Sequence, residues 1–368
     1  MTITDVPTTA TAEPTVDDFV ERLVGAVLGA QEVQGVYFGH RLGWYDALAD
    51  HGPMTSTQLA AATGSNERYA REWLEHQAVC GYLTVDDDTA APQDRRFSLP
   101  AAHAEVLTDQ DSLAFVAPVA HLVAAVGHHL DAIADTFRTG GGVSWAQLGD
   151  EVREAQAAAN RPLFLHQLGS ELLPQAGDVD ERLRNGARVA DIGTGFGWSA
   201  IGLARAYPTI TVDGFDTDVP SIEAARRNAA AAGVADRVRF HVADGGDLAT
   251  PTKPYDAVFA FECIHDLPDP VSVLATMRRL AGDDGAVVVM DENVAEAFHA
   301  PGDEVERLMY GYSLTCCLTD GMSHEHSAGT GTVMRASTFT GYARQAGFAD
   351  VHVLPIEHDF FRFYRLER

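Results

Sequence analysis

The stretch VADIGTGFGWSAIGLARAYP, residues 189–208, constrains the fold more than any other part of the chain. An apolar run contains an acid near its end, three glycines follow at alternate positions, and a helix-like pattern of apolar residues then begins. This order is typical of a β-strand that leads into a nucleotide-binding turn at the start of a helix. The stretch therefore predicts an α/β domain that binds a nucleotide-containing cofactor.

From residue 186 onward, apolar strand-like runs alternate with helix-like runs. The strand-like runs are ARVADIG, TITVDGFD, RVRFHVAD, YDAVFAFEC and GAVVVMDE. Such alternation predicts a parallel sheet with helices on both faces. Sheets of this kind bind their ligands at the carboxyl ends of the strands. We therefore look for functional side chains directly after each strand-like run.

The glycine loop indicates which cofactor is bound. Gly193, Gly195 and Gly197 form GxGxG, whereas the dinucleotide fingerprint GxGxxG would place a glycine where Trp198 stands. An indole there is expected to obstruct the close helix–strand approach of a pyrophosphate site. Asp191, two residues before the first glycine, suits a cationic amine better than a pyrophosphate. The loop therefore favours S-adenosylmethionine over NAD.

Acids also end the next two strand-like runs. Asp216 ends the second run, where a carboxylate can accept hydrogen bonds from both ribose hydroxyls, and NAD sites use the same acid. Asp244 ends the third run and can accept the adenine amino group, with Asp247 as a competing candidate. Each acid alone could equally be a turn or helix-capping residue. Their occurrence after successive strands favours a cofactor site.

Residues 16–104 predict a mainly helical, winged-helix-like domain. Helices with a break at Gly35 precede a two-stranded wing formed by LTVDDD and RRFSLP. Two functions remain open, DNA binding and dimerisation. Between Gly52 and Pro100, four arginines are outnumbered by seven acids, and an acidic surface cannot replace the counterions of phosphates. We therefore expect a dimerisation domain, a homodimer, and no nucleic-acid partner.

Residues 105–185 predict a helical linker that roofs the cofactor pocket. Its run VAPVAHLVAAVGHHLDAIADTFRTGGG is apolar on nearly every face, so we expect it to be buried, with a second subunit as one possible cover. Residues 1–15 are rich in Thr, Ala and Pro and predict a disordered tail.

The composition of the chain indicates the location of the protein and the kinds of partner that it disfavours. The formal net charge of -27 disfavours nucleic-acid and phosphate-rich partners. The four cysteines fit no CxxC spacing, which indicates reduced thiols. We see neither a signal peptide nor an apolar run of the roughly 18 residues that a membrane span needs. We therefore expect a cytoplasmic protein without a membrane partner.

These motifs together resemble the class I S-adenosylmethionine-dependent methyltransferases. The resemblance rests on DxGxGxG, on the acids at 216 and 244, and on YDAVFAFECIHDLPDP. The domain order is similar to that of small-molecule O-methyltransferases of secondary metabolism, including actinobacterial ones. It implies a Rossmann-like, mostly parallel seven-stranded sheet over residues 186–368, with an antiparallel end formed by the last 22 residues. The cofactor-binding residues would be Asp191, Gly193, Thr194, Gly195, Gly197, Asp216, Asp244, Gly245 and Phe261.

The resemblance also implies the catalytic residues. His265 matches the general base of an HDW-type motif, although Leu267 replaces the tryptophan. Its pKa near neutrality suits removal of a proton from a phenol or enol, while a core or helix-capping histidine is the alternative. Asp291 or Glu292, after the fifth strand, could orient His265, or could simply end a strand. Asp266 is expected to face away and cap the next helix.

Residues 299–334 are expected to form a substrate lid. Tyr310, Tyr312, Cys316 and Cys317 could line a partly apolar substrate pocket, although a core helix explains them as well. His324 and His326 flank Glu325, but neighbouring residues of a loop cannot easily converge on one ion. We therefore expect no metal site.

The sequence thus predicts a methyltransferase that acts on a small organic molecule, at a hydroxyl oxygen with His265 as base. Transfer to nitrogen or carbon remains open because a neutral amine needs no strong base. A member of the fold with changed chemistry, a cofactor-sensing winged-helix regulator and an NAD-dependent oxidoreductase are the other hypotheses. The sequence carries no diagnostic motif for the substrate.

Overall fold

A computed structural model describes residues 15–368 and divides the chain into two compact units, Met1–Ala104 and Glu105–Arg368. The disordered tail expected over residues 1–15 lies, except for Thr15, outside the described residues. Each unit has its own core and is described separately.

The first unit consists of helices and a short two-stranded wing. Strands β1 and β2 pair antiparallel, with Thr84 opposite Ser98. Thr55 caps α3 with its side chain, and Gly64 ends that helix in the left-handed conformation. The elements are α1 (Val16–Arg41), α2 (Trp44–His51), α3 (Ser56–Thr63), α4 (Glu67–Val79), β1 (Thr84–Val85), β2 (Phe97–Ser98) and α5 (Ala101–Thr108), which crosses into the second unit.

Gly35 does not break the first helix, contrary to expectation, and α1 runs through it. A Cβ at this position would lie 2.4 Å from Nε2 of Gln77 on α4. The indole nitrogen of Trp73 donates to the carbonyl oxygen of Gly35 at 2.8 Å. The glycine therefore allows α4 to approach α1 closely, a tertiary cause that the local sequence does not reveal.

The second unit begins with a helical layer. Helix α8 is kinked at Gly149, whose φ is 82°, and contains Pro162. The expected burial of the apolar run is only partial, because Val123, Leu130 and Phe137 are each about half exposed or more. The helices of this layer are α6 (Ala117–Val126), α7 (Leu130–Thr139), α8 (Trp145–His166) and α9 (Asp178–Arg184).

A seven-stranded sheet with the order β5-β4-β3-β6-β7-β9-β8 forms the centre of this unit. All neighbouring pairs are parallel except those that β9 makes with β7 and β8. The expected Rossmann-like, mostly parallel sheet with an antiparallel end is confirmed. Its elements are β3 (Arg188–Ile192), α10 (Trp198–Ala206), β4 (Thr211–Asp216), α11 (Val219–Ala231), β5 (Val238–Val242), β6 (Ala257–Phe261), α12 (Pro270–Leu280), β7 (Ala286–Glu292), α13 (Glu304–Tyr312), α14 (Leu318–Gly321), α15 (Ala336–Gln345), β8 (Asp350–Val353) and β9 (Phe361–Glu367).

The sheet is buried on both faces, which explains its continuous apolar strands. One face packs against α9, α10, α11 and the end of α8, around Ile201 and Phe259. The other packs against α12 and α15, around Met277 and Phe339. Every residue of β6 and β7 is buried, including the two acids that end β7. Side chains at the ends of these strands are therefore placed by a rigid core.

We predict that Gly202→Ala destabilises the protein by about 1–3 kcal/mol in urea unfolding followed by circular dichroism. A Cβ on this residue of α10 would lie 1.9 Å from the carbonyl oxygen of Phe164 on α8, so a backbone would have to move. Gly341→Ala is the matched control, because a Cβ there in α15 meets nothing within 4 Å. The control should gain roughly 0.5–1 kcal/mol from helix propensity. Equal stabilisation by both substitutions would contradict the close α8–α10 packing.

Candidate active site

A cavity of about 1740 Å³ lies at the carboxyl ends of the parallel strands, within the unit Glu105–Arg368. The loops after β3, β4, β5, β6 and β7 contribute to its wall, together with α8 and the segment from α13 to α14. The chain leaves β3 toward β4 and β5 and returns on the other side at β6. Open α/β sheets bind ligands in the crevice that such a reversal creates.

The glycines after β3 have different tasks. Gly193, Gly195 and Gly197 adopt φ values of 70°, 50° and 80°, which side chains other than hydrogen disfavour. Gly193 and Gly195 line the cavity. A Cβ on Gly197 would lie 2.5 Å from the ring of Phe240, and this residue is outside the described lining. Gly197 therefore shapes the loop from behind, which differs from the direct cofactor contact expected of it.

Asp191 also lies behind the loop and not in the described cavity lining. Its Oδ2 accepts hydrogen bonds from the hydroxyls of Thr194 and Ser199, each at 2.6 Å. Burial raises the pKa of this carboxyl to about 6. The side chain thus ties the glycine loop to the first turn of α10, whereas the sequence suggested an acid that faces the cofactor.

Asp216 ends β4 and lines the cavity. Its Oδ2 accepts the backbone N–H of Gly195 at 2.8 Å, and its Oδ1 accepts that of Asp218 at 2.9 Å. Burial raises the pKa of the carboxyl above its ordinary value, while these N–H groups oppose the rise. The contact with Gly195 joins the second strand end to the glycine loop, as expected for one continuous binding site.

The remaining residues expected at the cofactor also line the cavity. These are Thr194 on the glycine loop, Asp244 and Gly245 after β5, and Phe261 at the end of β6. Asp244 is exposed and accepts the backbone N–H of Gly246 at 2.7 Å. The competing Asp247 lines the cavity too, so the structure leaves both acids available.

His265 lies in the turn after β6, is only 3% exposed, and lines the cavity. Its Nδ1 is 2.8 Å from Oδ1 of Asp291, with which it forms a hydrogen bond, and 2.9 Å from Oε2 of Glu292. Both acids end β7, the neighbouring parallel strand. The structure thus brings together the three residues that the sequence nominated, and both acids, not one, contact the histidine.

The electrostatics of this group are asymmetric. Burial alone lowers the pKa of His265, but the carboxylates of Glu292 and Asp291 raise it well above its ordinary value. Burial raises the pKa of Glu292 well above its usual range. Burial also opposes ionisation of Asp291, yet the charge of His265 holds the pKa of that carboxyl below its ordinary value. A strongly basic imidazole is therefore flanked by two buried carboxyl groups that share its positive charge, and Asp291 is the one whose ionised form this charge favours more.

The sequence analysis missed Glu262, which also lines the cavity. The residue directly follows β6 and accepts a hydrogen bond from the amide of Asn160 on α8. Its position at a strand end was the available signal, since the same logic found Asp216. Asn160 carried no signal, because 102 residues separate the two partners.

Asp266 is not the cap of the following helix, contrary to expectation. Asp269 caps α12 instead, with its Oδ1 accepting the N–H of Ser272 at 2.9 Å. Asp266 lines the cavity, and burial raises the pKa of its carboxyl well above its ordinary value. Cys317, one of the residues expected at the substrate pocket, also lines the cavity.

Three of the four expected substrate residues, all except Tyr310, line the cavity. These are Tyr312, Cys316 and Cys317, whereas Tyr310 is 39% exposed and its hydroxyl lies 3.5 Å from Nη2 of Arg335. Residues two apart on a helix point in nearly opposite directions, so Tyr310 and Tyr312 of α13 point to different sides of the helix. Tyr310 lies outside the described cavity lining, and its contact with the substrate stays a prediction.

The segment expected to form a lid is largely helical and attached to the helical layer. It contains α13, a π-helical turn over Ser313–Cys317, and α14. The backbone N–H of Val143 donates to Thr319 Oγ1 at 2.9 Å, and that of Trp145 donates to Asp320 Oδ1 at 2.6 Å. The π turn directs Cys316 and Cys317 toward the cavity.

Two sets of side chains approach a geometry that a metal ion could use. One ligand atom from each of His265, Asp266 and Cys317 lies within 4.8 Å of the others, and the same holds for His265, Asp291 and Glu292. In the second set, Nδ1 of His265 is hydrogen-bonded to Asp291 and is not a free ligand atom. His324 and His326 belong to neither set.

No helix in the described part of the chain combines the length and apolarity that would allow it to cross a membrane.

Two family models match the chain. Residues 183–326 match a methyltransferase domain, and residues 34–109 match a winged helix-turn-helix domain of the Rv2258c-like type. The first match contains the glycine loop and His265, and the second contains α2, α3, α4 and the wing.

Individual proteins are similar over different lengths. The mitomycin biosynthesis 6-O-methyltransferase of Streptomyces lavendulae is 30% identical over 301 residues, which cover 78% of this chain and 79% of the relative. The 27-O-demethylrifamycin SV methyltransferase of Amycolatopsis mediterranei is 31% identical over 150 residues, 40% of this chain and about half (55%) of the relative. The structure of human N-acetylserotonin methyltransferase in complex with S-adenosylmethionine has a TM-score of 0.70 and 17% identity, and the match covers 96% of this chain and 99% of that one.

Proposed function

Because this chain belongs to the class I S-adenosylmethionine-dependent methyltransferases, in the small-molecule O-methyltransferase family with an N-terminal winged helix-turn-helix domain, we propose that it methylates a hydroxyl oxygen of a small organic molecule. The observation that carries the proposal is the placement of His265. Its Nδ1 is held by Asp291 and Glu292, and it shares one cavity with the glycine loop.

The cofactor end of the cavity suits a molecule with a sulfonium and an ammonium group and without phosphates. Its wall carries Asp216, Asp244 and Asp247, and the nearby guanidinium of Arg153 is bound to Asp218 at 2.9 Å and 3.0 Å. Carboxylates attract the cationic cofactor and would repel a pyrophosphate. We assign Asp216 to the ribose hydroxyls, and Gly193 and Gly195 to backbone contacts with the cofactor. Asp191 and Gly197 support that loop.

We predict that Asp216→Ala weakens S-adenosylmethionine binding by about 1.5–3 kcal/mol, or roughly 10- to 100-fold in Kd, in calorimetric titration. The substitution removes a carboxylate that can accept hydrogen bonds from the ribose, and it frees the Gly195 N–H. Asp236→Ala is the control, since that side chain is 75% exposed. Equal affinity of the Asp216 variant and the control would exclude this assignment.

The base mechanism follows from the tautomer of His265. Because Nδ1 donates to Asp291, the lone pair of the neutral ring lies on Nε2, which is the nitrogen that can accept a proton. Cys317 is also hydrogen-bonded to this imidazole. His265 would take the hydroxyl proton while the substrate oxygen attacks, and Asp291 would stabilise the imidazolium that forms. Bound S-adenosylmethionine supplies an activated methyl group, whose carbon–sulfur bond breaks as the carbon–oxygen bond forms. No metal ion is part of this proposal, because a sulfonium already activates the methyl group.

The methyl acceptor would lie between His265 and the helical wall of the cavity. Tyr312 and Cys316 from the α13–α14 segment and residues of α8 supply that wall. We accordingly assign residues 105–185 to the roof of the pocket, and residues 299–334 to its substrate side.

We predict that the acid limb of the kcat/KM profile lies well above pH 6.5 and moves to lower pH in Asp291→Asn. The carboxylates of Glu292 and Asp291 raise the pKa of His265 above that ordinary value. Below its pKa the ring is an imidazolium that cannot accept the hydroxyl proton, so the rate falls as the pH decreases. Removal of the Asp291 charge lowers the pKa of His265 and shifts the limb accordingly. The position of this limb is measured from initial rates with a phenolic acceptor over a range of pH values.

His265→Gln tests the base itself and should lower kcat by about 10²–10⁴-fold while leaving S-adenosylmethionine affinity unchanged. His352→Gln is the matched control, because this side chain is 58% exposed on β8. Full turnover in the His265 variant would indicate a nitrogen or carbon acceptor, or changed chemistry in this fold.

A regulatory role in DNA binding finds no support in the winged-helix unit. On α4, Arg68 lies beside Glu72 and Arg71 beside Glu67. Arg95 on the wing binds Glu75 of the same helix at 2.7 Å. These guanidinium groups are neutralised within the protein, so they cannot replace the counterions of a nucleic acid. We infer that this unit does not bind nucleic acid.

Helix α1 supplies a surface for a homodimer. Seven of its apolar side chains follow helical spacing, and each is at least 51% exposed. A continuous apolar stripe of this kind is unfavourable in water and typical of an interface between copies. We therefore infer that a second copy of the chain covers it. The stripe consists of Val16, Phe19, Val20, Leu23, Val24, Val27 and Leu28.

We predict that the double substitution Leu23→Asp and Val27→Asp converts a dimer to a monomer in light scattering after size exclusion. Two carboxylates in the stripe would have to be buried without partners. Arg22→Glu, on another face of α1, is the control and should remain dimeric. A wild-type protein with the mass of a monomer would refute the dimer.

We also infer a cytoplasmic location. All four cysteines of the chain are free, including the adjacent Cys316 and Cys317. Free thiols persist in a reducing compartment.

A further inference from the structure

Glu262 has a backbone conformation that is unusual for a glutamate. Its φ is 51°, and among the non-glycine residues that the structure describes it alone has a positive φ. Such conformations persist where the surrounding structure enforces them, and they are frequent at binding sites. The backbone N–H of Glu262 donates to the carbonyl oxygen of Met290 on β7 at 2.8 Å. The sheet thus holds this side chain in the cavity wall.

A hydrogen bond from α8 determines which oxygen of Glu262 can carry a proton. The side-chain nitrogen of Asn160 donates to Oε2 of Glu262, and both residues line the cavity. An amide nitrogen can only donate, so Oε2 is the acceptor in this pair. A proton on the carboxyl group therefore sits on Oε1.

The charge around His265 favours a protonated Glu262. Three other carboxyl groups, Asp266, Asp291 and Glu292, lie on the same side of the cavity, and a single imidazole faces them. Four buried carboxylates cannot all ionise beside one positive charge. Burial raises the pKa of Glu262 to about 8, and the charge of His265 opposes this rise only in part.

No arginine of the described cavity wall neutralises Glu262. Arg153 is bound to Asp218 and lies 3.0 Å from Asp150. Arg362 lies 3.2 Å from Glu296 and donates to the carbonyl oxygen of Val294. Both guanidinium groups are thus engaged elsewhere, and the carboxyl of Glu262 remains a neutral acid.

We propose that Glu262 donates a hydrogen bond from Oε1 to the methyl acceptor and selects substrates that carry a carbonyl oxygen next to the reacting hydroxyl. This inference rests on the proposed function, because it takes His265 as the group that removes the hydroxyl proton. The chemical class is that of conjugated ortho- or peri-hydroxy carbonyl compounds.

The two groups would act on opposite ends of one conjugated system. A hydroxyl next to a carbonyl is held in an internal hydrogen bond, and a competing donor on the carbonyl releases it. When His265 takes the proton, the negative charge spreads from the hydroxyl oxygen to the carbonyl oxygen, where the Glu262 hydrogen bond stabilises it. Glu262 keeps its own proton throughout, and the hydroxyl proton resides on Nε2 of His265.

Other substrate charges fit this wall less well. A substrate carboxylate would lie close to the ionised Asp291 and to further acids. A substrate ammonium would stabilise the ionised form of Glu262, so this residue would have to lose its proton to bind it. A neutral carbonyl matches the donor without a change in the net charge of the cavity.

Two isomers of a hydroxyanthraquinone provide the probe. In one the hydroxyl is peri to a carbonyl, and in the other it is remote from both carbonyls, so the two probes have the same formula and ring system. Their Kd values are measured by absorbance titration of the full-length enzyme saturated with S-adenosylhomocysteine. Methylation of each is measured with S-adenosylmethionine. We expect the wild type to bind the peri isomer about tenfold more tightly and to methylate it preferentially.

Substitutions of Glu262 distinguish a neutral carboxylic acid, which donates a hydrogen bond, from an ionised carboxylate, which does not. Glu262→Gln should keep the preference for the peri isomer, because its oxygen can accept from Asn160 while its amide nitrogen donates to the carbonyl. Glu262→Leu should abolish the preference. Glu357→Leu is the matched control on the same cavity wall and should bind both isomers like the wild type.

Loss of the preference in Glu262→Gln would show that the ionised form is needed, and would overturn the inference. Equal binding of the two isomers by the wild type, or binding of neither, would also overturn it. Methylation of both isomers at equal rates, with loss of turnover in His265→Gln, would leave the proposed function intact while excluding this role of Glu262. If Glu262→Leu does not fold, the comparison of wild type with Glu262→Gln still decides between acid and anion.

Discussion

The parallel alignment of β3, β4, β6 and β7 is the constraint on which the site depends. Ile192 pairs with Phe215 and with Ala260, and Phe261 pairs with Met290, so these strands end at the same level. The residues that follow them therefore meet at one edge, although the chain separates them widely. Because the strands are buried on both faces, a displacement of one end would disturb the whole core. The backbone hydrogen bonds between these strands therefore hold the glycine loop and His265 at the same edge, where both line one cavity.

The second organising feature is a deficit of positive charge at that edge. His265 is almost fully buried among carboxyl groups, and neither arginine of the described wall is available to them. Such a group can be stable only if some of its members keep their protons. The same shortage of positive charge that accompanies a basic His265 therefore raises the pKa values of Glu292 and Glu262. The basicity of His265 and the hydrogen-bond donation proposed for Glu262 would therefore have one electrostatic cause, the shortage of positive charge at this edge.

Strand-end reasoning predicted much of this arrangement from sequence. The sheet, the family and the cofactor are confirmed, and Asp216, His265 and Asp291 lie where the strand ends placed them. Three other assignments stay predictions, because the direction of the side chain or the role of the glycine depends on more than the position of a strand end. Helical phase turns Tyr310 away from the cavity, and packing against Phe240 accounts for Gly197. Asp191 was assigned to the cofactor, yet hydroxyl groups of its own loop surround it.

The substrate side could not be derived because its contacts are remote in sequence. Glu262 meets Asn160 across 102 residues, and Trp145 meets Asp320 across 175. Neither partner belongs to a motif, and most of the α8 residues that line the cavity follow the kink at Gly149. Periodicity detects helices but not which of them pack together. Hence the cofactor end, built from local turns after strands, is legible in the sequence, whereas the acceptor end is a property of the tertiary structure. We therefore propose that substrate specificity in this chain is decided where α8, the π turn at Ser313–Cys317 and the end of β6 line the cavity.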